Sequence, residues 1–219
     1  MNVIHWLLHI LFPPKCILCG KLLENDELDL CRACRVDAPT YPTGKRKLQF
    51  LDSFAAVWYY EGDVRHSLLR YKFYGRRNLA SGYGRLLAME IEKEHPEGLD
   101  ILTWIPISRL RKLRRGYDQC ELLAKAVGEE LGMTPVPTLK KLRNNRQQSR
   151  ITGEAQRRAN VLGVYRVLDP ELVRGKRVLL LDDIVTTGAT AGEAARVLLT
   201  AGASEVHCAA VAASRKVNK

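Results

Sequence analysis

Residues Val178–Thr190, VLLLDDIVTTGAT, constrain the fold of this chain more than any other stretch. Four apolar residues read as a buried parallel strand. Two adjacent carboxylates, Asp182 and Asp183, follow, then a turn of small and hydroxylated residues. Ala194, Ala195, Leu198 and Leu199 then fall on one face of a helix. A strand, a polar turn and a helix start in that order present a ligand at the carboxyl end of a strand in an α/β sheet. Thr186, Thr187 and Thr190 bring hydroxyls, and Gly188 lets backbone approach closely. The unpaired N–H groups at a helix start suit a phosphate. Two carboxylates beside a phosphate cradle suit the vicinal hydroxyls of a ribose, because carboxylates accept hydrogen bonds from both. An ordinary turn with a solvated Asp pair is the alternative, although such a turn needs no acids, threonines and glycine in this order.

The motif DDIVTTGAT, behind its apolar strand, resembles the signature of type I phosphoribosyltransferases, which bind 5-phosphoribosyl 1-pyrophosphate (PRPP). The resemblance implies that Asp182 and Asp183 hold the ribose hydroxyls. It implies that Thr186, Thr187, Gly188, Ala189 and Thr190 hold the 5-phosphate.

The other strong motif lies near the N-terminus. Cys16 and Cys19 form one CxxC pair, Cys31 and Cys34 a second, with eleven residues between them. That spacing suits a structural zinc ion held by four thiolates. The piece is too small to bury a core, so ligation would supply its folding energy. A pair of disulfides or a redox CxxC are the alternatives. Cys120 and Cys208 sit in apolar contexts and read as core residues.

At 219 residues the chain has room for one α/β domain and a small appendage. Its net charge of +11 implies attraction to polyanions such as phosphorylated substrates, nucleic acid or an acidic membrane. Residues 3–12 read as a short amphipathic helix that packs on the protein, since the basic face of a membrane anchor is missing. The run lacks a charged leader and a cleavage site, and no segment is long enough to span a bilayer. The expected location is cytoplasmic.

The expected organisation is a helix in 1–14, a zinc ribbon in 15–38, a linker in 39–50 and the main domain in 51–215. Strands are expected at Phe54–Tyr60, Ile101–Ile105, Gly163–Val167 and Glu205–Ala213, the third returning the chain to the sheet. Helices are expected at Val64–Phe73, 79–94 and 118–131. In the first, Leu68 and Leu69 turn inward while Arg65, Arg70 and Lys72 turn outward. Tyr71–Arg77 mixes aromatic and basic residues, which suits a phosphate or a base but also a solvated helix end.

Arg109, Arg111, Lys112, Arg114 and Arg115 crowd five cations into seven residues after a strand end. Such a group calls for an anion. A pyrophosphate in the sheet's crevice would explain charge and location, and a basic surface helix is the alternative. Residues 140–160 hold seven cations and one acid with few large apolar residues, and read as a mobile basic loop of lid length.

Taken together, the chain resembles the ComF family, in which a zinc ribbon precedes a phosphoribosyltransferase domain. Pro13–Cys19, Tyr71–Arg76, Pro106–Gln119, Gln148-Ser149, Arg158, Asn160 and the PRPP loop carry the likeness. Asp118 stands where the family usually has Asn, and Trp104-Ile105-Pro106 departs from its pattern. The implied fold is the type I phosphoribosyltransferase α/β fold, a Rossmann-like parallel sheet with flanking helices, plus a four-cysteine zinc ribbon. The implied activity is Mg²⁺-dependent displacement of pyrophosphate from PRPP. Asp182, Asp183, Arg109 and Arg115 are the catalytic candidates. Pro106, Ile107, Ser108, Arg109, Arg114 and Lys72 are the pyrophosphate candidates, with Arg76 a weaker one. Arg146, Arg150 and Arg158 would act from the closing loop. Zn²⁺ would be structural and Mg²⁺ would arrive with PRPP.

A second reading is a non-catalytic PRPP sensor or single-stranded-DNA binder linked to competence, its ribbon docking competence or recombination proteins. The ribbon itself is slightly acidic, with Lys15, Lys21, Arg32 and Arg35 against Glu24, Asp26, Glu27, Asp29 and Asp37. DNA would therefore fall to the basic loop and the 109–115 cluster. Competition between PRPP and DNA separates these readings. A homodimer is a further candidate, and the sequence does not give the acceptor.

Overall fold

The structure, a computed structural model, describes residues 13–42, 44, 46–95, 97–143 and 162–215. The expected helix at 3–12 and the loop residues Arg146, Arg150 and Arg158 lie outside the described residues.

The elements are α1 (Arg32–Asp37), β1 (Ser53–Tyr59), α2 (Gly62–Phe73), α3 (Leu79–Glu94), β2 (Ile101–Trp104), α4 (Arg109–Arg115) and α5 (Gln119–Leu131). Then come β3 (Leu139–Lys141), β4 (Tyr165–Val167), α6 (Pro170–Val173), β5 (Arg177–Val185), α7 (Ala189–Thr200) and β6 (Glu205–Ala213). Four strands make a parallel sheet in the order β1-β6-β5-β2. Register pairs Ser53 with His207, Arg177 with Glu205 and Ile101 with Val178. A parallel sheet is covered on both faces, so its strands read as continuous apolar runs rather than alternations. Strand β6 is buried at every residue after Glu205.

The period of two then sorts the side chains into two cores. Leu102, Leu179, Leu181, Ala209 and Val211 pack with α2, α3, α5 and the ribbon residues Ile17, Leu18 and Leu30. Val178, Leu180, Cys208 and Ala210 pack with Ala194, Ala195 and Leu198 of α7 and with Val164, Tyr165 and Val167. Each fully buried Leu here contributes about 2 kcal/mol. Helices α3 and α5 approach closely at Gly84, where a Cβ would stand 2.6 Å from that of Ala126. Among the described residues no helix is long and apolar enough to cross a membrane.

Two expectations change, at 163–167 and at 140–141. The strand near 163–167 does not return to the sheet. It is β4, antiparallel to β3, in a separate two-stranded ribbon. Its burial alternates, with Arg166 exposed between buried Tyr165 and Val167, which fits a one-sided ribbon and not a strand covered on both faces. Lys140 and Lys141, expected in the mobile loop, belong to β3. The basic run 109–115 is helix α4, with the Ser108 hydroxyl accepting from the Arg111 amide at its start and Gly116 closing it.

Candidate functional site

The four ribbon cysteines are brought together by two turns. The Cys16 amide donates to Lys21 O and the Gly20 amide to Cys16 O, folding the first CxxC back on itself. The second opens α1, with Arg35 N donating to Cys31 O. All four sulfurs lie within 4.8 Å of one another, Cys19 and Cys31 at 3.7 Å, and all six cysteines are free. Four sulfurs each 2.3 Å from one ion would stand about 3.8 Å apart, so the set fits tetrahedral zinc. Burial raises the Cys16 thiol pKa, but the amides of Cys19, Cys31 and Leu18 outweigh it and bring it to about 7.

The second constellation is at the carboxyl end of β5. Asp182 and Asp183 are still within the strand. Asp183 is buried, and the Lys72 ammonium sits 3.0 Å from its Oδ1 and 2.8 Å from its Oδ2. Lys72 was expected to face outward. Burial disfavours its charge, but Asp183 more than offsets that and holds its pKa up. Arg70, also expected outward, turns onto the ribbon, where its guanidinium donates to the carbonyls of Ile17 and Leu18.

Asp182 is partly exposed to a cavity of about 370 Å³. The Cys120 thiol lies 3.5 Å from its Oδ1 and the Asp183 amide 2.8 Å. Burial, then the neighbouring Asp183 carboxylate, push the Asp182 carboxyl up to about 8. Cys120, read from sequence as a core residue, is buried and also a wall of this cavity.

Asp118, outside the lining, holds two residues that are in it, Ile107 and Cys120. Its Oδ1 accepts from the amides of Cys120 and Glu121 at the start of α5, and its Oδ2 from Ile107 N at 3.0 Å. One carboxylate thus caps the helix and fixes the 106–108 loop. Asp118 is buried, which raises its pKa against the pull of these amides.

Of the residues singled out from sequence, Lys72, Pro106, Ile107, Arg115, Asp182, Asp183, Thr186, Gly188, Ala189 and Thr190 line this one cavity. Thr187 stands beside it with Oγ1 accepting from Ala189 N, and Ser108 is buried as the α4 cap. Arg109 and Arg114 are exposed on α4 and are not part of the lining. The α4 residues that line it are Arg111 and Arg115, the spacing of one helical turn.

Sequence reasoning placed Lys141 only in the mobile basic loop and not among the site residues. Its Nζ lies 3.3 Å from the Tyr165 hydroxyl and 5.2 Å above that ring. Burial, then Arg111, depress its pKa to about 8. Arg65, Lys72, Arg111, Arg115 and Lys141 bring five cations to the lining, against two carboxylates.

At the floor, Gly188 takes φ 83° immediately before α7, a helix with no acid in its first turn. The linker covers this turn. Arg46 Nη1 donates to Thr186 O at 2.6 Å, and Leu48 packs against Gly188. The signal for this contact, a run of cations in a linker, gave no partner. Gly188→Ala would place a Cβ 2.5 Å from Leu48 Cδ2 in a left-handed backbone. The expected cost is about 2 kcal/mol in thermal unfolding. Adding Leu48→Ala should recover only the packing share.

The family described as "Double zinc ribbon domain" matches residues 7–45, and that described as "Phosphoribosyl transferase domain" matches residues 118–218. "DNA utilization protein YhgH" of Salmonella typhi is 28% identical over 201 residues, 88% of this chain and 87% of that protein. "Competence protein ComFC" of Bacillus subtilis (strain 168) is 29% identical over 189 residues, 85% of this chain and 72% of that protein. A solved structure described as the allosteric regulatory enzyme of purine biosynthesis aligns at 23% identity and a TM-score of 0.44. It covers 65% of this chain, which spans 29% of that enzyme.

Proposed function

The chain belongs to the ComF family, a phosphoribosyltransferase-type domain behind an N-terminal zinc ribbon, and from that premise we propose that its cavity binds PRPP and displaces pyrophosphate from it. The carrying observation is that Asp182, Asp183, the Gly188 turn and five cations all line one cavity of about 370 Å³. That size suits a single small ligand. The 5-phosphate would sit on the amides and hydroxyls of Thr186–Thr190, favoured by the start of α7. The ribose hydroxyls would donate to Asp182 and Asp183. The pyrophosphate would lie against Pro106, Ile107 and Ser108. Arg111, Arg115 and Lys141 are better placed for it than Arg109 or Arg114, because they line the cavity.

The chemistry is a substitution at C1 of the ribose. The C1–O bond breaks with its electron pair leaving on pyrophosphate, and an acceptor supplies the pair for the new bond. The fixed cations stabilise charge as it develops on the leaving oxygens. Cys120, Asp182 and Asp183 bring three possible ligand atoms within 4.8 Å of one another. Asp183 is paired with Lys72 and a thiol is a poor magnesium ligand, so these side chains would supply at most part of a magnesium shell. Magnesium would be held mainly by substrate oxygens and water, neutralising phosphate charge there. The names of the relatives carry the reading into DNA utilisation and competence, as the setting in which the product or the bound state is used.

Isothermal titration of PRPP into zinc-loaded protein tests the reading. Binding is expected only with magnesium, and Asp182→Asn with Asp183→Asn should abolish it; binding unchanged by that pair of substitutions overturns the assignment. The folded-state pKa of Asp182 is raised, so the acid holds its proton below about pH 8. The carboxylate is the stronger acceptor for the ribose hydroxyls, so binding near pH 7 should release a proton. Affinity should rise with pH, by no more than about fivefold between pH 7 and 8, and level off above that. Titration in buffers of different ionisation heats reads the proton directly.

A further inference from the structure

We propose that metal loading of the ribbon and ligand binding in the cavity are coupled through α2, with Arg70 as the positioning residue that joins them. The ligand half of this coupling rests on the PRPP reading above.

Helix α2 touches both sites within two turns. On the ribbon side, the Ser67 hydroxyl donates to Ile17 O, and Arg70 donates to Ile17 O at 3.2 Å and to Leu18 O. Ile17 and Leu18 are the two residues between Cys16 and Cys19. The helix therefore grips the backbone of the metal knuckle itself. Ser67 and the Tyr83 hydroxyl meet at 2.5 Å, and both are fully buried. On the cavity side, Tyr71 donates to Gln119 O at 2.6 Å and accepts at its own carbonyl from the Tyr117 hydroxyl. Lys72 holds Asp183.

Arg70 and Lys72 are two residues apart on one hydrogen-bonded helix, so a displacement of the helix backbone at one is carried to the other. Ile17, Leu18, Val64, Leu68 and Tyr71 share one core, which leaves little slack between the parts. The carbonyls that Arg70 uses are aligned by the turn linking Cys16 to Cys19. Backbone hydrogen bonds form that turn, and zinc on Cys16 and Cys19 would fix it further. A second tether, Asp29 with Arg85 of α3 at 2.5 and 2.8 Å, keeps the ribbon in place but does not reach the cavity. The loaded ribbon thus presets Lys72 against Asp183 in the cavity. Linkage requires the reverse effect, that an occupied cavity holds the ribbon's zinc more firmly.

The test follows the equilibrium partition of zinc between the loaded protein and a chromogenic chelator. Saturating PRPP with magnesium should tighten zinc binding by on the order of fivefold. Arg70→Met should keep its full zinc content without chelator yet lose the dependence on PRPP, and Arg70→Lys should restore part of it. Without any ligand, Lys72→Met lies outside the ribbon and should still weaken zinc binding. Val173→Ala, which opens a cavity in the other core, should not. Zinc affinity that is unchanged or weaker with PRPP, in protein shown by calorimetry to bind it, overturns the coupling. If calorimetry finds no PRPP binding, the functional reading fails instead. The Lys72→Met arm then decides alone, and zinc affinity at the wild-type value overturns the proposal.

Discussion

Serine at Cys16 and Cys31 together is expected to unfold the ribbon and to lower the stability of the sheet domain with it. Two thiolates cannot hold a zinc ion that four were built to hold, and structural zinc sites of this kind supply about 10–16 kcal/mol at neutral pH. A detachable module would melt alone. Here Ile17, Leu18 and Leu30 are part of the same core as Leu68, Tyr83, Leu102 and Leu179. Burying three such side chains contributes about 5 kcal/mol, which is comparable to the whole stability of many domains. The double substitution should therefore move the single unfolding transition downward by many degrees. Removal of zinc by a chelator should do the same reversibly. Calorimetry that shows an unchanged main transition, with only a small ribbon transition lost, would overturn this expectation.

The second large effect is expected at Lys72. Its ammonium is the described partner of a carboxylate that is 3% exposed. Lys72→Met keeps most of the side chain's volume and leaves buried Asp183 beside Asp182 without its ammonium. Removing one partner of a buried pair costs about 3 kcal/mol or more. Asp183→Asn in the same chain removes the stranded charge, so the double variant should regain most of that loss. Chemical denaturation of wild type, the two single variants and the double variant measures the pair's coupling. A double variant no more stable than Lys72→Met would show that packing, and not the ion pair, carries the effect. The same substitution should weaken PRPP binding even where the protein remains folded.

Much of this architecture is legible in the chain because its strongest signals are local. The run before Asp182 has the composition of a strand covered on both faces, and β6 repeats it. The paired CxxC spacing gathers four sulfurs without any long-range information. The errors share a different origin. Helical periodicity puts Lys72 outside because it averages over a face, and it does not register a carboxylate 111 residues away. Arg46 reads as a linker cation because its acceptor, Thr186 O, lies 140 residues on. Sequence crowding drew attention to Arg109, Arg114 and Arg115 alike. The turn of α4 directs Arg115, with Arg111, to the cavity and leaves the other two outside the lining. Lys141 read only as one cation of a basic loop, since its setting depends on Arg111 and Tyr165 from elements distant in the chain. Short strands misled for the opposite reason. Three residues of β4 are too few to tell a sheet strand from a small ribbon, and only burial on one side separates them.

The strand order carries a consequence for synthesis. Among the described residues, strand β1 emerges first but pairs in the sheet only with β6, the last of its four strands to be made. Asp52 and Val206, which bond to each other at that seam, are 154 residues apart. At ribosomal rates the wait is on the order of ten seconds. Meanwhile β1 is an apolar ribbon open to wrong partners. Its other side is attended much earlier, where Thr40 bridges Trp58 and the Tyr41 amide donates to Val57 O. The segment between ribbon and sheet is thus placed to act as a temporary guard on the nascent chain, shielding one edge of β1 until its distant mate arrives.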